Sequence, residues 1–252
     1  MLTWIKSALE STRIIGMKSS SELFKWKHFE AEIILLTVRW YLQYRLSYRD
    51  LVEIMSERGI SICHTTIMRW VHDYSPEIAK KVRPHLKPVG DSWRVDETYI
   101  KVKGQWNYLY RAVDSTGKTI DFMLSEKRDM KAAKRFFQKA LSSDHVQTPR
   151  AITVDKNPSY PAAIESLKKN KELPKETVMR QAKYLNNIIE QDHRFIKKRT
   201  NPMFGFKSFE TAKKTIDGIE TMHMIKKGQV KLKNLSAPNN VQLFNQLFGR
   251  IA

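Results

Sequence analysis

Apolar residues in the first third of the chain recur at helical spacing. Between residues 28 and 44 they stand three or four positions apart, which is typical of an amphipathic helix. These side chains are Phe29, Ile33, Leu36, Trp40 and Tyr44. Ser47 and Asp50 then have the spacing of a capping box, which predicts a second helix that runs towards Gly59. His64 opens a third predicted helix, which we expect to end at Tyr74.

The second and third predicted helices are joined by a short connection, as in a helix-turn-helix DNA-binding unit. In that arrangement Ile67, Trp70 and Val71 face the helical core. The side chains left to meet a DNA groove are Thr65, Thr66, Met68, Arg69 and His72. A small helical bundle used for protein contacts is the alternative interpretation of the same pattern. With either interpretation we expect an all-α domain over residues 23–75.

The helical pattern is interrupted over residues 76–91. Pro76, Pro84, Pro88 and Gly90 all fall in this stretch, and residues of these types end helices and form turns. We therefore predict a short helix followed by a linker, which separates the helix-turn-helix domain from the rest of the chain.

Beyond the linker the pattern changes to short runs of β-forming residues. Three such runs, over 93–102, 106–113 and 119–124, are separated by turn residues such as Gly104, which predicts an antiparallel meander. A helical segment then precedes a fourth strand that ends at Asp155. A helix between two strands favours a parallel crossover, so we expect the fourth strand to lie beside the first.

This order of elements is that of a ribonuclease-H-like, retroviral-integrase-like α/β domain. We expect that domain over residues 92–228, preceded by the all-α helix-turn-helix domain. Residues 1–22 are an N-terminal extension in which charged residues interrupt the apolar positions, so no signal-peptide core is predicted. Residues 229–252 form a C-terminal tail, for which a short docking helix and disorder are both open.

Three acids stand at positions where the predicted fold brings them together. Asp96 is on the first strand, Asp155 follows the fourth strand, and Glu190 is on a later helix. Side chains alternate along a strand, so we expect Asp96 and Glu97 to face opposite sides and not to share a site. Clustered carboxylates repel one another unless they bind cations, and all-oxygen ligands suit Mg²⁺ or Mn²⁺.

Each of the three acids also has an ordinary structural explanation. Asp96 can pair with Arg94, Asp155 can cap the following helix, and Glu190 can pair with Arg194 one helical turn later. The presence of all three in one predicted domain, at positions that its topology can bring together, favours a shared metal site.

The helix that carries Glu190 is predicted to run from Tyr184 to Arg199 and to have two distinct faces. Its apolar face is formed by Leu185, Ile188, Ile189, Phe195 and Ile196. The polar residues around Glu190 that we expect to serve DNA are Asn186, Asn187, Arg194, Lys197 and Lys198. The cations are expected to bind phosphate, and the two asparagines to orient DNA or the carboxylate.

The charge of the chain indicates a polyanionic partner. Forty-five Lys and Arg residues against 26 acids give the 252-residue chain a net charge of +19. We expect DNA rather than a membrane, because no long apolar span is present in the sequence. A single cysteine, Cys63, excludes a disulfide framework and four-thiolate zinc sites, and it fits a reducing cytoplasm.

The segments around the three acids resemble those of the DDE transposases of bacterial insertion sequences, specifically the sixth insertion-sequence family. They read WRVDETYIKVKGQWNYLYRAVDSTG, ITVDKNPSYP and YLNNIIEQDHRFIKKR. Asp155 and Glu190 have thirty-four residues between them, and a basic residue, Lys197, follows Glu190 by seven. The resemblance covers the chain from about Phe24 to Gln229.

This resemblance implies a catalytic triad of Asp96, Asp155 and Glu190 that binds two divalent ions. It also implies a helix-turn-helix that recognises the terminal inverted repeats of the element, and movement by replicative cointegrate formation. A homodimer or a higher homo-oligomer that holds two DNA ends is expected, in a bacterial cytoplasm with access to the nucleoid.

Two other functions are consistent with parts of the pattern. One is a DNA-binding regulator that uses only residues 24–75. The other is a nuclease of the same fold, which cuts DNA without joining it.

Overall fold

The computed structural model describes residues 20–231 and 240–249 of the chain. The α-helices are α1 (Ser20–Phe24), α2 (Ala31–Gln43), α3 (Tyr48–Ser56), α4 (His64–Val82), α5 (Met130–Leu141), α6 (Ser159–Lys169), α7 (Asn187–Thr200), α8 (Phe209–Lys226) and α9 (Asn240–Leu247). The β-strands are β1 (Ser92–Val102), β2 (Gln105–Asp114), β3 (Thr119–Ser125), β4 (Ala151–Val154) and β5 (Val178–Gln181).

The strands form one mixed sheet in the order β3-β2-β1-β4-β5. β1, β2 and β3 are antiparallel neighbours, whereas β4 lies parallel to β1 and β5 lies parallel to β4. The tight turn between β1 and β2 places Lys103 and Gly104 at φ angles of 50° and 79°, as a two-residue hairpin requires. This strand order is that of a ribonuclease-H-like domain, so the predicted meander and parallel crossover are confirmed.

The three helices predicted before the sheet are present as α2, α3 and α4. The capping box at the start of α3 is complete, with Asp50 N donating to Ser47 Oγ at 3.1 Å and Ser47 N donating to Asp50 Oδ2 at 2.7 Å. The predicted core residues Ile67, Trp70 and Val71 are buried. Local sequence signals therefore specify where these helices begin and which face they bury.

The last of these helices is longer than expected. α4 continues to Val82 and contains Pro76, where the sequence predicted the end of one helix and the approach to a linker. Ser75 packs so closely on α8 that a Cβ atom added at Gly218 would lie 2.7 Å from its Oγ. Tertiary packing thus outweighs the penalty of a proline inside a helix. The linker expected over residues 76–91 is shortened accordingly.

Two apolar cores lie on opposite faces of the sheet. One packs the sheet against α5 and α6 and includes Tyr110, Phe136 and Tyr160. The other packs the sheet against the N-terminal helices, α7, α8 and α9, and it includes Leu109 and Ile219. The helices of the helix-turn-helix therefore share a core with elements from the end of the chain.

The C-terminal tail contains a docked helix. Phe244 on α9 is buried, and the ring of Phe248, which directly follows α9, lies 6.1 Å from that of Phe24 at the end of α1. The docking-helix alternative is thus the correct one for residues 240–249, whereas residues 232–239 and 250–252 lie outside the described part. Most of the predicted N-terminal extension, residues 1–19, also lies outside it.

Membrane insertion was not expected from the sequence. Among residues 20–231 and 240–249, the structure has no helix with the length and apolar character that crossing a membrane would need.

A buried ionic network connects the middle of the sheet to α7 and α8. Arg111 on β2 is fully buried and donates to Glu220 on α8 and to Asp192 on α7, each at 2.7 Å. His223 and Lys227 contact the other oxygen of Asp192 at 2.8 and 2.7 Å. Burial by itself raises the pKa of Asp192, but the hydrogen bond from His223 and the charges of Arg111 and Lys227 hold it well below its ordinary value. The ionised network fixes α7 against the sheet.

Candidate active site

Two of the predicted acids, Asp96 and Asp155, lie close together at the point where β1 and β4 stop pairing. The last aligned pair of these parallel strands is Arg94 with Thr153. Two residues further along are Asp96 and Asp155, so their side chains point to the same face of the sheet. One carboxylate oxygen of each lies within 4.8 Å of the other. The parallel crossover therefore joins two acids that are far apart in the sequence.

Glu97 belongs to the same acidic cluster, and the expectation that strand alternation excludes it is wrong. One of its oxygens lies within 4.8 Å of those of Asp96 and Asp155. In the described sheet β4 ends at Val154, so no strand flanks this part of β1 on that side. Alternation predicts the direction in which a side chain leaves the backbone, but it does not predict where a long side chain ends at an open edge.

Glu97 is held in place by three hydrogen-bond donors. Its buried carboxylate accepts from the guanidinium of Arg128, from the amide of Asn157 at 3.3 Å and from the hydroxyl of Tyr160. Arg128 also lies 3.5 Å from Asp155, so one guanidinium forms ion pairs with both Glu97 and Asp155. Burial, followed by the charge of Glu97, raises the pKa of Tyr160 well above its ordinary value, which keeps the hydroxyl a donor. Sequence reasoning missed this positioning group, whose members lie on separate elements.

Asp96 lies at the centre of the acids. Burial, and next the charge of Glu97, raises its pKa to about 7, with further contributions from Asp155 and Glu190. His193 Nδ1 lies 3.7 Å from Asp96. Burial and nearby cations lower the pKa of His193 to about 3, so a neutral imidazole does not offset the acids. Oxygen ligands with excess negative charge are chemically suited to a divalent cation.

Glu190 and Asp96 both line a cleft of about 510 Å³. Glu190 is exposed in the first turn of α7, and it lies outside the compact acidic cluster around Asp96 and Asp155. The helix that carries Glu190, α7, begins at Asn187, three residues later than the start at Tyr184 that the sequence predicted. The structure thus brings Asp96 and Asp155 together directly and places Glu190 in the lining of the same cleft as Asp96.

The sequence was compared with known families and proteins. Residues 90–229 match the family model DDE_Tnp_IS240, described as a DDE domain. The transposase for the insertion sequence-like element IS431mec of Staphylococcus aureus (strain Mu50 / ATCC 700699) is 40% identical over 204 residues, which cover 81% of this chain and 88% of the relative. The transposase for the element IS257 in transposon Tn4003, also from Staphylococcus aureus, has the same identity and coverage. The chain belongs to the DDE transposases of the sixth insertion-sequence family.

As a DDE transposase, the chain is a polynucleotidyl transferase. Among solved structures, the HTLV-2 integrase catalytic core domain in complex with magnesium is 14% identical, covers 61% of the transposase and 96% of its own chain, and superposes with a TM-score of 0.41. At this level of similarity the fold assignment rests on the strand order of the transposase itself.

Most of the polar α7 residues singled out in the sequence surround the cleft of the transposase. Asn187, Arg194 and Lys197 line it together with Glu190. Lys198 lines a neighbouring cavity between α2, α7 and α8, which Arg194 also borders. The cleft therefore combines an acidic wall with cations one to two helical turns away.

Asn186 precedes α7 and is placed differently from the polar residues of that helix. It lies in a 3₁₀ turn over Lys183–Asn186, where the sequence predicted the first turn of the helix. The tighter turn directs its side chain at the sheet, so Asn186 is only 2% exposed and its Nδ2 donates to Val95 O at 3.4 Å. Because its side chain is buried, Asn186 is not accessible to DNA. Its hydrogen bond to Val95 O instead supports β1 next to Asp96.

The helix-turn-helix residues of the transposase lie around the N-terminal half of α4. Arg69 is exposed, whereas Thr65, Thr66 and Met68 are half-buried. His72 is half-buried towards α8, where burial and then the charge of Lys214 lower its pKa. The first turns of α4 thus present the more accessible part of the predicted DNA-binding face.

Proposed function

We propose that this transposase binds the terminal inverted repeats of its element and catalyses metal-dependent cleavage and transfer of DNA strands. The observation that supports the proposal is the placement of the acids: Asp96 and Asp155 lie close together at the end of β4, and Glu190 lines the same cleft as Asp96. We assign these three residues as catalytic. In line with the resemblance of the sequence, we propose replicative movement through a cointegrate.

The donor set fits two divalent ions, Mg²⁺ or Mn²⁺. Asp96 lies close to Asp155 and lines the same cleft as Glu190, so Asp96 would help to hold both ions, with Asp155 and Glu190 each holding one. Bound ions of this kind activate an attacking oxygen and stabilise a leaving oxygen in phosphodiester chemistry. Glu97 already accepts three donors, among them Arg128, so we leave it out of the ligand set.

The surrounding residues bind and orient DNA in this proposal. In the first step, water attacks the phosphorus at an element end, and the 3′ oxygen of that end leaves as a hydroxyl. In the second step, that hydroxyl attacks a target phosphodiester, and a target 3′ oxygen leaves. Lys197 and Arg194 line the same cleft as Asp96 and Glu190, where they would hold the phosphates beside the scissile bond by charge. Their role is to align the reacting groups.

The partners follow from the same chemistry. A net charge of +19 favours a DNA backbone as the bound polyanion. Eleven Lys and Arg residues against three acids lie between His193 and Lys233, a range that contains the C-terminal part of α7 and all of α8. We propose a homodimer or higher homo-oligomer that holds two element ends, acting on nucleoid DNA in the cytoplasm.

Arg69→Ala is expected to weaken binding of the terminal inverted repeat about tenfold. Arg69 is exposed near the start of α4, and a specific arginine contact to a base contributes roughly 1–3 kcal/mol. Electrophoretic mobility shifts with repeat and scrambled duplexes measure the effect. Arg135→Ala removes an exposed arginine from α5 instead and should leave the preference for the repeat intact. Equal loss of affinity for both duplexes would make Arg69 a phosphate contact.

The experiment that tests the proposed function is a strand-transfer assay. Purified full-length protein is incubated with pre-cleaved element ends and a supercoiled target, first with Mg²⁺, then with EDTA, then after Mg²⁺ is restored. We expect joined products only when Mg²⁺ is present, because the acids need a cation to act on a phosphodiester.

The same assay separates the alternatives. A regulator that uses only residues 24–75 predicts metal-independent DNA binding and no joined product. A nuclease of the same fold predicts Mg²⁺-dependent nicks in the target without covalent joining of the ends. Either of these outcomes with correctly folded protein rejects the proposed function.

A further inference from the structure

Three aromatic side chains lie together on one face of the β1–β2 hairpin. Tyr99 is aligned with Tyr108, and Trp106 is aligned with Lys101, so these side chains point to the same face. The ring centroids of Tyr99 and Tyr108 are 5.5 Å apart, and those of Tyr99 and Trp106 are 6.1 Å apart. Tyr99, Tyr108 and Trp106 are called the aromatic ladder below.

The aromatic ladder runs from the acidic cluster into solvent. The preceding aligned pair on the same face, Glu97 with Tyr110, is buried. Tyr99 is 48% exposed and Trp106 is 60% exposed. Tyr99 also lines the cleft that contains Asp96. Strand alternation puts these rings on the Glu97 face of β1, opposite the side chain of Asp96. The connection to the proposed catalytic site is therefore around the open edge of β1, where Tyr99 and Asp96 line one cleft.

Backbone hydrogen bonds to Phe206 hold the hairpin that presents the aromatic ladder. Phe206 N donates to Lys101 O at 2.8 Å, and Lys103 N donates to Phe206 O at 2.7 Å. Together with the tight turn at Lys103 and Gly104, these bonds hold the strand ends in one conformation. Rings on a preordered scaffold lose little conformational entropy when a ligand stacks on them.

The surroundings of the aromatic ladder favour nucleic acid over an apolar partner. Lys101 and Lys103 are exposed on the same hairpin, and the guanidinium of Arg128 lies near Tyr99. Single exposed aromatic residues are common on protein surfaces. Contiguous rings bordered by cations are the combination that binds single-stranded nucleic acid, where bases stack and phosphates pair with charge.

The distance from the acids suits a base close to the reacting phosphate. Tyr99 follows Asp96 by three residues on β1, which corresponds to about 10 Å along an extended strand. Stacked nucleotides advance ~3.4 Å each along one DNA strand, so a DNA strand that passes around the open edge of β1 needs at least about three nucleotides to reach from Asp96 to the ladder.

We propose that the aromatic ladder stacks unpaired nucleobases of the DNA strand whose phosphate is held by the acids. This inference rests on the proposed function and adds a binding site to it: it predicts that the transposase engages frayed or single-stranded DNA next to the scissile bond. Trp106, with the most exposed ring, provides the outer stacking surface.

The test compares two DNA probes with full-length protein in Mg²⁺. One is a blunt duplex, and the other is the same duplex with a three-nucleotide overhang that contains the fluorescent base 2-aminopurine. We expect wild-type protein to prefer the overhang and to quench the 2-aminopurine, as stacking requires. Trp106→Ala should reduce that preference about tenfold, which corresponds to ~1.4 kcal/mol. Trp106→Phe keeps a ring and should retain most of the preference and the quenching.

The control is Trp26→Ala, which removes a tryptophan that is 91% exposed and precedes α2, and it should match wild type. The inference is overturned if wild-type protein joins DNA ends but shows no overhang preference. It is also overturned if Trp106→Ala leaves the quenching unchanged. A change of oligomeric state in light scattering would then identify the ladder as an interface between copies. If wild-type protein neither binds nor joins DNA, the proposed function itself fails and the inference falls with it.

Discussion

Asp155→Asn is expected to reduce strand transfer by roughly 10³-fold or more and to leave binding of DNA ends almost unchanged. Loss of a metal-holding carboxylate removes several kcal/mol of transition-state stabilisation, and each 1.36 kcal/mol is tenfold in rate. The fold is expected to survive, because the Oδ1 atom that accepts from Asn157 N at 3.0 Å is retained in the amide. Joined product per unit time, measured on a gel with pre-cleaved ends, gives the rate.

The same loss is expected for Asp96→Asn and for Glu190→Gln. Glu165→Gln is the matched control for the last of these, because Glu165 is an exposed helical glutamate on α6; it should join ends at the wild-type rate. Glu190 stands apart from the compact acidic cluster, so its variant is the most informative. Retained joining by Glu190→Gln would remove that residue from the triad and reduce the proposed site to two acids.

Arg111→Met is expected to lower the free energy of unfolding by roughly 3–5 kcal/mol. The guanidinium is completely buried, and its removal leaves the carboxylates of Glu220 and Asp192 without their shared partner. Removing one member of a buried ionic network costs this much because a desolvated charge stays behind. Urea denaturation followed by circular dichroism, at one fixed protein concentration, measures the change.

Two comparisons show whether burial is the cause. Lys214→Met breaks a surface pair with Glu210 one turn away on the same helix and should cost less than ~0.5 kcal/mol. The double variant Arg111→Met/Glu220→Leu removes both charges of the buried pair and should recover much of the lost stability. Equal effects of Arg111→Met and Lys214→Met would show that the network contributes nothing beyond a surface pair.

The parts of the fold that follow from local signals were predictable from the sequence. The spacing of Ser47 and Asp50 specifies the start of α3, and its hydrogen bonds are present. The run of β-forming residues around Asp96 specifies β1. The helix before β4 specifies a parallel crossover, which is enough to place Asp155 beside Asp96.

The features that depend on distant contacts were not predictable in the same way. α4 continues through Pro76 because α8 packs against it, and nothing within residues 64–82 indicates that support. Glu97 joins the acidic cluster because β4 is short and because Arg128 and Tyr160 approach from other elements. A single strand pattern contains none of these partners.

The shared core of the N-terminal and C-terminal helices sets the order in which the protein matures during synthesis. Leu42 on α2 packs against Gly218, and Phe24 contacts Phe248. A ribosome must therefore release almost the entire polypeptide before the N-terminal helices gain their final support. A nascent or prematurely terminated chain of residues 24–75 leaves that apolar surface in water, open to chaperones and proteases.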